Sequence, residues 1–490
     1  MIETWSVVIV VAPVVAAAIC AASRRARVAE YANLAASIVC VAAAATLVCT
    51  VRDGHRFLHD YVVVDALAAW TLVCTALVYC LASIYAVGYM RLLAEDRERL
   101  PNFYALFALF AATMICGPIM NNIGVYWIAI ELTTLVSTFL VGFERGKEAI
   151  EAAWKYIIVV SAGISLALLG TVLFYWAGSL VIGPTYDMTW DALRHAAPNM
   201  NPALTQMAFL LVLVGYGTKA GLAPMHTWLP DAHSEGPAPV SAMLSGALLN
   251  TAMLGVARFL TITDAASSSL LPRTVLVAFG TFSLFVAALF IVRQEGVKRL
   301  MAYSSVEHMG VLALGLGFGG PLAIAAVLYH MLNHSLNKSL MFFGAGNVMR
   351  VFDTKDMGEI RHVWERFPVT GALWLAGAVA ITGAPPFGLF LSELTLLRAG
   401  MASSNVWAVI VMLLLLIVIF IGFLNHFRAM YFEAQPVGEV WVKRAVNVSA
   451  WMTVPMWLAF VPVLVLGVWW PQDLWRFFEM VAADLGGQTR

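Results

Sequence analysis

Apolar runs of about 20 residues succeed one another along almost the whole chain, parted by short connectors that hold most of its charge. A helix needs roughly 20 apolar residues to cross the ~30 Å hydrocarbon core, where backbone polar groups find no partner but one another. The pattern predicts an all-α polytopic membrane protein of about fourteen transmembrane helices. The first six spans fall near 5–22, 30–51, 63–90, 102–119, 122–142 and 152–176. The next four fall near 205–225, 238–262, 274–292 and 299–318. The last four fall near 321–347, 369–399, 404–427 and 449–470.

Two spans break the pattern. In the seventh, the apolar run Met207–Val214 leads into Gly215-Tyr-Gly217-Thr-Lys219-Ala-Gly221-Leu-Ala-Pro224. In the twelfth, Gly383-Ala-Pro-Pro386-Phe-Gly388 comes just before Ser392-Glu393. Broken backbone within a membrane is tolerated only where it packs in protein or lines water. Two such segments five spans apart suggest two five-helix repeats, spans 4–8 and 9–13, the second inverted. Gly and Pro are also simply common in membrane helices, so these residues alone leave the repeat open. The expected division is 1–100 for helices 1–3, 101–265 and 270–428 for the two repeats, and 429–490 for a C-terminal loop and helix 14.

Composition sharpens the class. The chain is 61% hydrophobic and 12% charged, against about 25% charged in a soluble domain. Formal net charge is zero, so charge gives no ground for a nucleic-acid partner. All six cysteines (Cys20, Cys40, Cys49, Cys74, Cys80, Cys116) lie in apolar runs with no metal-ligand spacing. They read as small core residues, with neither a metal site nor an iron–sulfur cluster expected. No basic segment precedes the first apolar run, so no cleaved signal peptide is expected.

Lys and Arg set the orientation. Connectors after odd-numbered spans hold Arg24, Arg25 and Arg27; Arg91, Arg97 and Arg99; Arg145 and Lys147; Arg293, Lys298 and Arg299; Arg350, Lys355, Arg361 and Arg366; and Lys443 and Arg444. The other side holds only scattered ones: Arg52, Arg56, Arg194, Arg273, Arg476 and Arg490. Both termini are expected outside the cytoplasm.

Charges at membrane depth are the candidate chemistry. Glu131 lies midway along the fifth span, and Lys219 sits in the seventh. His330, His334 and Lys338 recur every four residues in the eleventh, on one helical face, and Glu393 lies in the twelfth. A mid-membrane charge costs roughly 2.5–3.5 kcal/mol on insertion scales, so such residues face protein or water. Any one of them could be a structural ion pair or a satisfied core histidine. Together they read as a proton relay, because burial and opposing charges tune Lys and Glu while histidine titrates near neutrality. Clustered oxygen ligands would suit Na⁺ better. Protons are therefore favoured, with Na⁺ antiport as the alternative.

Several motifs match one known family. They are Phe103-Tyr104; Trp127 with Glu131; Lys219-Ala-Gly with Pro224-Met-His226-Thr-Trp-Leu-Pro230-Asp-Ala-His233; Val297-Lys-Arg-Leu-Met-Ala-Tyr-Ser-Ser-Val-Glu307-His308-Met-Gly; and His330, His334 and Lys338. From about residue 60 to 430 the chain resembles the antiporter-like membrane subunits of respiratory complex I, Mrp-type cation/proton antiporters and energy-converting hydrogenases. The resemblance implies that Glu131 and Lys219 form the relay pair, and it supports the inverted five-helix repeat. Ser305-Val-Glu-His308, Asn333–Ser339 with Phe343–Asn347, and Pro385–Glu393 look most like the F component of hydrogenase 4 and formate hydrogenlyase-type complexes. That implies membrane partner subunits and peripheral hydrogenase and iron–sulfur subunits on the cytoplasmic side, with redox chemistry and cofactors residing there. Many relatives carry a lysine early in the eighth span, where this chain has Asn250. The lateral link must then use water or histidines.

Other polar residues carry less weight. His226, Asp231, His233 and Glu235 are placed on a cytoplasmic loop, as a proton entrance or, more in keeping with their types, as loop stiffeners. Glu307 and His308 are further relay candidates. Asp65 reads as an interfacial anchor. Arg350–Arg366 docks partner subunits or solvates its connector. No P-loop, dinucleotide glycine motif, haem attachment motif or nucleophile elbow is present.

Overall fold

Helix dominates because a chain this apolar must satisfy its backbone internally. The computed structural model describes residues 1–51, 54–93, 97–403, 405–433 and 448–485. Arg52, Lys443, Arg444, Arg490 and the side chain of Arg97 lie outside the described residues. Helices α1 (Ile2–Ala22) and α2 (Ala26–Thr50) are followed by an antiparallel hairpin, β1 (His55–Phe57) and β2 (Val62–Val64). Then come α3 (Ala66–Leu93), α4 (Leu100–Ile119), α5 (Ile123–Val141) and α6 (Lys147–Ile182). A short α7 (Trp190–Ala196) precedes α8 (Pro202–Ala220), a 3₁₀ turn (Met225–Thr227) and α9 (Trp228–Glu235). Next are α10 (Ala238–Met243), a π turn (Leu244–Leu248) and α11 (Leu249–Ala266). They are followed by α12 (Leu271–Val292), α13 (Val297–Phe318) and α14 (Gly320–Phe352). After α15 (Val363–Arg366), the broken pair α16 (Pro368–Ile381) and α17 (Gly388–Ala402) leads to α18 (Val406–Phe432), α19 (Ala450–Val468) and α20 (Gln472–Asp484).

Among the described residues, 11 helical segments are long and apolar enough to cross a membrane. Hydropathy alone thus supports fewer crossings than the fourteen expected. The other three ranges hold α13, α14 and the broken pair α16–α17. The first two are long enough, at 22 and 33 residues, but buried polar groups dilute their hydropathy. Three features departed from expectation. Residues 62–64 form a strand before α3 begins, and the C-terminal segment ends in the extra helix α20. Helix α6 has 36 residues and is about 54 Å long, well beyond the hydrocarbon thickness.

The architecture is polar at its centre. Every residue of α14 from Ala323 to Val348 is buried, as is nearly all of α13 and the α10–α11 rod from Ala238 to Leu260. The outer helices turn apolar faces outward, as Ile410, Leu413, Leu414 and Ile417 of α18 do. Helices α6 and α8 approach closely at Gly215, where a Cβ would lie 2.5 Å from Ala167 Cβ. Small residues let membrane helices pack this tightly. The cysteines are free. Cys20, Cys40 and Cys74 are buried as expected, but Cys49 is exposed and is not a core residue, because it lies on an outward face of α2.

The two expected breaks are present. Helix α8 starts with an Asn201 cap, whose Oδ1 accepts from Ala203 N and Leu204 N, and with Pro202 in its first turn. It stops at Gly221, φ 79°, a left-handed conformation that glycine adopts without penalty. Leu222 N then donates to Gly217 O at 2.8 Å, closing the helix end. Trp228 Nε1 donates to Thr218 O at 2.8 Å, satisfying another terminal carbonyl. In the second break, Gly383 has φ 68° between α16 and α17. Cis peptide bonds, Ala223–Pro224 and Pro385–Pro386, follow the two glycines.

Candidate functional site

Lys219 stands in the last turn of α8, one residue before the break, and is fully buried. Its Nζ donates to Thr134 Oγ1 at 2.8 Å and to Tyr156 Oη at 3.0 Å, and lies 5.2 Å from the Tyr156 ring centroid. Ser137 Oγ is 2.7 Å from the same phenol oxygen. Glu131 is near, but no salt bridge joins it to Lys219 among the described residues. The Thr134 hydroxyl stands between them, donating to Glu131 Oε2 at 3.4 Å. Ser161 Oγ donates to Glu131 Oε1 at 2.7 Å. The expected carboxylate–ammonium pair is therefore a triad with a hydroxyl in the middle. Glu131 is only half-buried, beside the exposed Ile128, Leu132 and Leu135.

A second cluster joins α13, α14 and α17. His308 Nδ1 is 3.0 Å from His330 Nε2, and His330 Nδ1 is 2.9 Å from Ser392 Oγ. His334 packs its ring 5.1 Å from that of His308. His330 and His334 are parallel, 6.4 Å apart, as four-residue spacing on one face requires. One ligand-type atom each from His308, His330 and Glu393 lies within 4.8 Å of the others. The two imidazoles already spend the facing nitrogens on each other. Lys338 Nζ donates to Met301 O at 2.9 Å, and Glu307 stands further along the same helix, α13. All of these side chains are at most 5% exposed. Glu307 and His308 belong to the cluster as fully as the three residues of α14.

Between the two clusters lies a seam of neutral groups. Ser245 Oγ, in the π turn, is 2.7 Å from Ser305 Oγ of α13. Asn250 Nδ2 donates to Ser335 Oγ at 2.9 Å, and Ser335 Oγ donates to Gly246 O at 2.6 Å. A π turn disturbs the regular ladder, and here a turn carbonyl receives side-chain donors instead. The hydroxyls of Thr134, Tyr156, Ser161, Ser245, Ser305 and Ser392 were missed by a search for charges. Thr134, one turn from Glu131, was the one legible from spacing.

The residues after the first break do not lie on a loop. His226 is in the 3₁₀ turn, and Asp231, His233 and Glu235 are on α9, because the chain re-forms helix right after the break. Asp231 binds Arg299 and, at 3.2 Å, Lys155, while Glu235 binds Lys355 at 2.7 Å. His233 is fully buried and stacks on Phe342 at 4.9 Å. Lys298, read only as a connector charge, is 4% exposed and donates to Gly236 O at 2.6 Å. Asp65 is more than an anchor. Its Oδ1 accepts from Ala68 N at 2.8 Å, capping α3, and its carboxylate grips buried Arg258 through both oxygens at 2.8 and 2.9 Å. A polar cavity of about 140 Å³ opens beside this pair, lined also by Asp191, Arg194 and Asp484. Burial, then the neighbouring Arg258, pushes the Arg194 guanidinium below its ordinary value.

Comparison with known proteins gives these groups a context. Residues 120–420 match the family described as "NADH:quinone oxidoreductase/Mrp antiporter, TM". The chain is 38% identical over 360 residues to the hydrogenase-4 component F homolog of Methylacidiphilum infernorum, covering 73% of this chain and 74% of that protein. It is 30% identical over 366 residues to hydrogenase-4 component B of Escherichia coli, covering 72% of this chain but only 52% of that longer protein. The fold matches a chain of the membrane-bound sulfane sulfur reductase, an archaeal respiratory membrane complex, with a TM-score of 0.86 at 22% identity, covering 98% and 97% of the two chains. It also matches a chain of the Mrp complex of Dietzia sp. DQ12-45-1b, with a TM-score of 0.85 at 20% identity, covering 99% and 97%. The chain belongs to the family of antiporter-like membrane subunits shared by NADH:quinone oxidoreductase, Mrp antiporters and hydrogenase-type complexes.

Proposed function

We propose that this chain moves protons across the membrane as one subunit of a hydrogenase-4-like or formate hydrogenlyase-like redox complex. One observation carries the reading: Glu131, Thr134 and Lys219 form a hydrogen-bonded series at membrane depth, and a second buried set of Glu307, His308, His330, His334, Lys338 and Glu393 lies beyond it. A proton passes from Glu131 to Lys219 through Thr134. It crosses the seam beside Asn250, which cannot titrate, over water that joins the Ser245–Ser305 hydroxyls, and leaves through Lys338, the histidines and Glu393. His226 and His233 flank the route. The 38% identity to a hydrogenase-4 component F homolog supports this assignment over a complex I or Mrp role.

Glu131 supports the presence of membrane partners. A half-buried carboxylate midway along α5 is costly against lipid, so a neighbouring subunit covers α5 at the depth of Glu131. Peripheral hydrogenase and iron–sulfur subunits sit on the cytoplasmic side, with both termini on the other. The two broken helices support an inverted repeat of residues 101–265 and 270–428.

The test uses membrane vesicles carrying the whole complex. Lys219→Ala and Glu131→Gln are each expected to abolish proton uptake while the complex still assembles. Uptake unchanged in an assembled variant overturns the relay. Uptake that needs Na⁺ supports the antiporter reading instead.

A further inference from the structure

On the outer face of α4, α5 and α6 lies an open groove of about 810 Å³. Its walls are apolar: Leu106, Phe139, Phe143, Ile150, Trp154 and Ile157. Phe139 and Trp154 are 67% and 63% exposed. At one end stand two guanidiniums, Arg99 just before α4 and Arg145 in the α5–α6 connector. Arg99 Nη2 donates to Phe143 O at 2.6 Å, and its guanidinium lies 4.7 Å from the Phe143 ring centroid. Among the described residues, neither arginine makes a salt bridge, although Glu144 shares the connector and Glu148 stands in the first turn of α6.

Depth fixes what fits. From Ile150 to Ile157 the wall runs about 10 Å along α6. One leaflet of hydrocarbon is about 15 Å deep. A wall of that length matches about two thirds of one leaflet's depth, and the arginines stand at the end where α5 stops at Val141. Guanidinium pairs bind phosphate oxygens in bidentate fashion. A partner's helix would suit the apolar walls equally well but would need acidic side chains or its C-terminal carbonyls at the arginines, whereas every anionic phospholipid carries its phosphate at the end of its acyl chains.

We propose that this groove binds one glycerophospholipid with an anionic headgroup. Its phosphate sits between Arg99 and Arg145, and an acyl chain lies along Phe139 and Trp154. The site is separate from the buried relay and does not depend on what that relay carries.

The test is lipid retention by the purified complex, exchanged into micelles of phosphatidylglycerol or phosphatidylcholine and read by native mass spectrometry. The wild type is expected to keep one phosphatidylglycerol in preference to phosphatidylcholine. The double variant Arg99→Gln/Arg145→Gln is expected to retain it roughly thirty-fold less, the loss two basic groups imply at an anionic surface. Arg99→Lys/Arg145→Lys keeps the charge and should retain most of it, and Arg293→Gln, outside the groove, should match wild type. A photo-crosslinker at position 139 should label lipid. Equal retention by wild type and the Gln double variant, equal retention of the two lipids, or crosslinking to a protein subunit would each overturn the proposal.

Discussion

Thr134→Val is the most discriminating change at the Lys219 site. Valine keeps the shape of threonine, so packing against α6 and α8 should survive. What disappears is the hydroxyl that accepts from Lys219 Nζ at 2.8 Å and donates to Glu131 Oε2 at 3.4 Å. Lys219 keeps one protein partner, Tyr156 Oη at 3.0 Å. A hydrogen bond to a charged group is worth about 1.5–3 kcal/mol, a factor of roughly 10–150 in an equilibrium constant. If the hand-off between Glu131 and Lys219 runs through this hydroxyl, the variant slows it by a factor in that range. The assay is quenching of a pH-sensitive dye in inverted vesicles, with electron transfer measured on the same sample. Expected is a loss of proton uptake per electron transferred, with normal subunit content, and rescue by Thr134→Ser. Wild-type pumping in assembled Thr134→Val would show that water or direct contact joins the two groups, and the hydroxyl argument would fall.

Three further outcomes follow from the geometry. Gly221→Ala forces a methyl into a left-handed position and against Leu229, so the melting temperature of the complex should drop by an amount matching at least about 1–2 kcal/mol. Arg258→Leu strips the partner from the mostly buried Asp65 and should cost about 3–5 kcal/mol by thermal denaturation, with part recovered in the Asp65→Asn/Arg258→Leu double variant. Ser305→Ala breaks the 2.7 Å contact with Ser245 and should reduce proton uptake without changing thermal stability by more than about 1 kcal/mol; unchanged uptake removes the serine pair from the lateral route.

The sequence was most legible where residue types are rare in a membrane. Lys219, Glu131, His330, His334, Lys338 and Glu393 stand out because hydrocarbon tolerates them so poorly, and all but Glu131 are buried at the core. The breaks were legible from Gly221 and Gly383, since only the backbone demands of a helix end call for glycine there. What stayed hidden was of two kinds. Neutral hydroxyls such as Ser161 and Ser245 are unremarkable in a membrane helix, where most simply bond the carbonyl one turn back, as Thr251 does to Ala247. Lys298 was read as a connector charge yet proved buried, and Arg258, also buried, was not singled out at all. Their depth is set by how far neighbouring helices extend, and α6 alone overshoots its predicted ends by several residues on each side.

The placement of Lys219 beside a break ties it to the α9 segment. Trp228 opens α9 and bonds Thr218 O, the carbonyl just before Lys219. The same short helix is held at Asp231 by Lys155 of α6 and Arg299 of α13, and at Glu235 by Lys355 beyond α14. Exposed ion pairs of this kind contribute only about 0–1 kcal/mol each. They are weak enough to be rearranged by a docking partner or a charge change at the connector. A continuous helix would absorb such a displacement along its full hydrogen-bond ladder. Here the ladder stops at Gly221, so a shift of α9 reaches the last turn of α8 through one indole. The bonds it would disturb first are those that Lys219 makes to Thr134 and Tyr156.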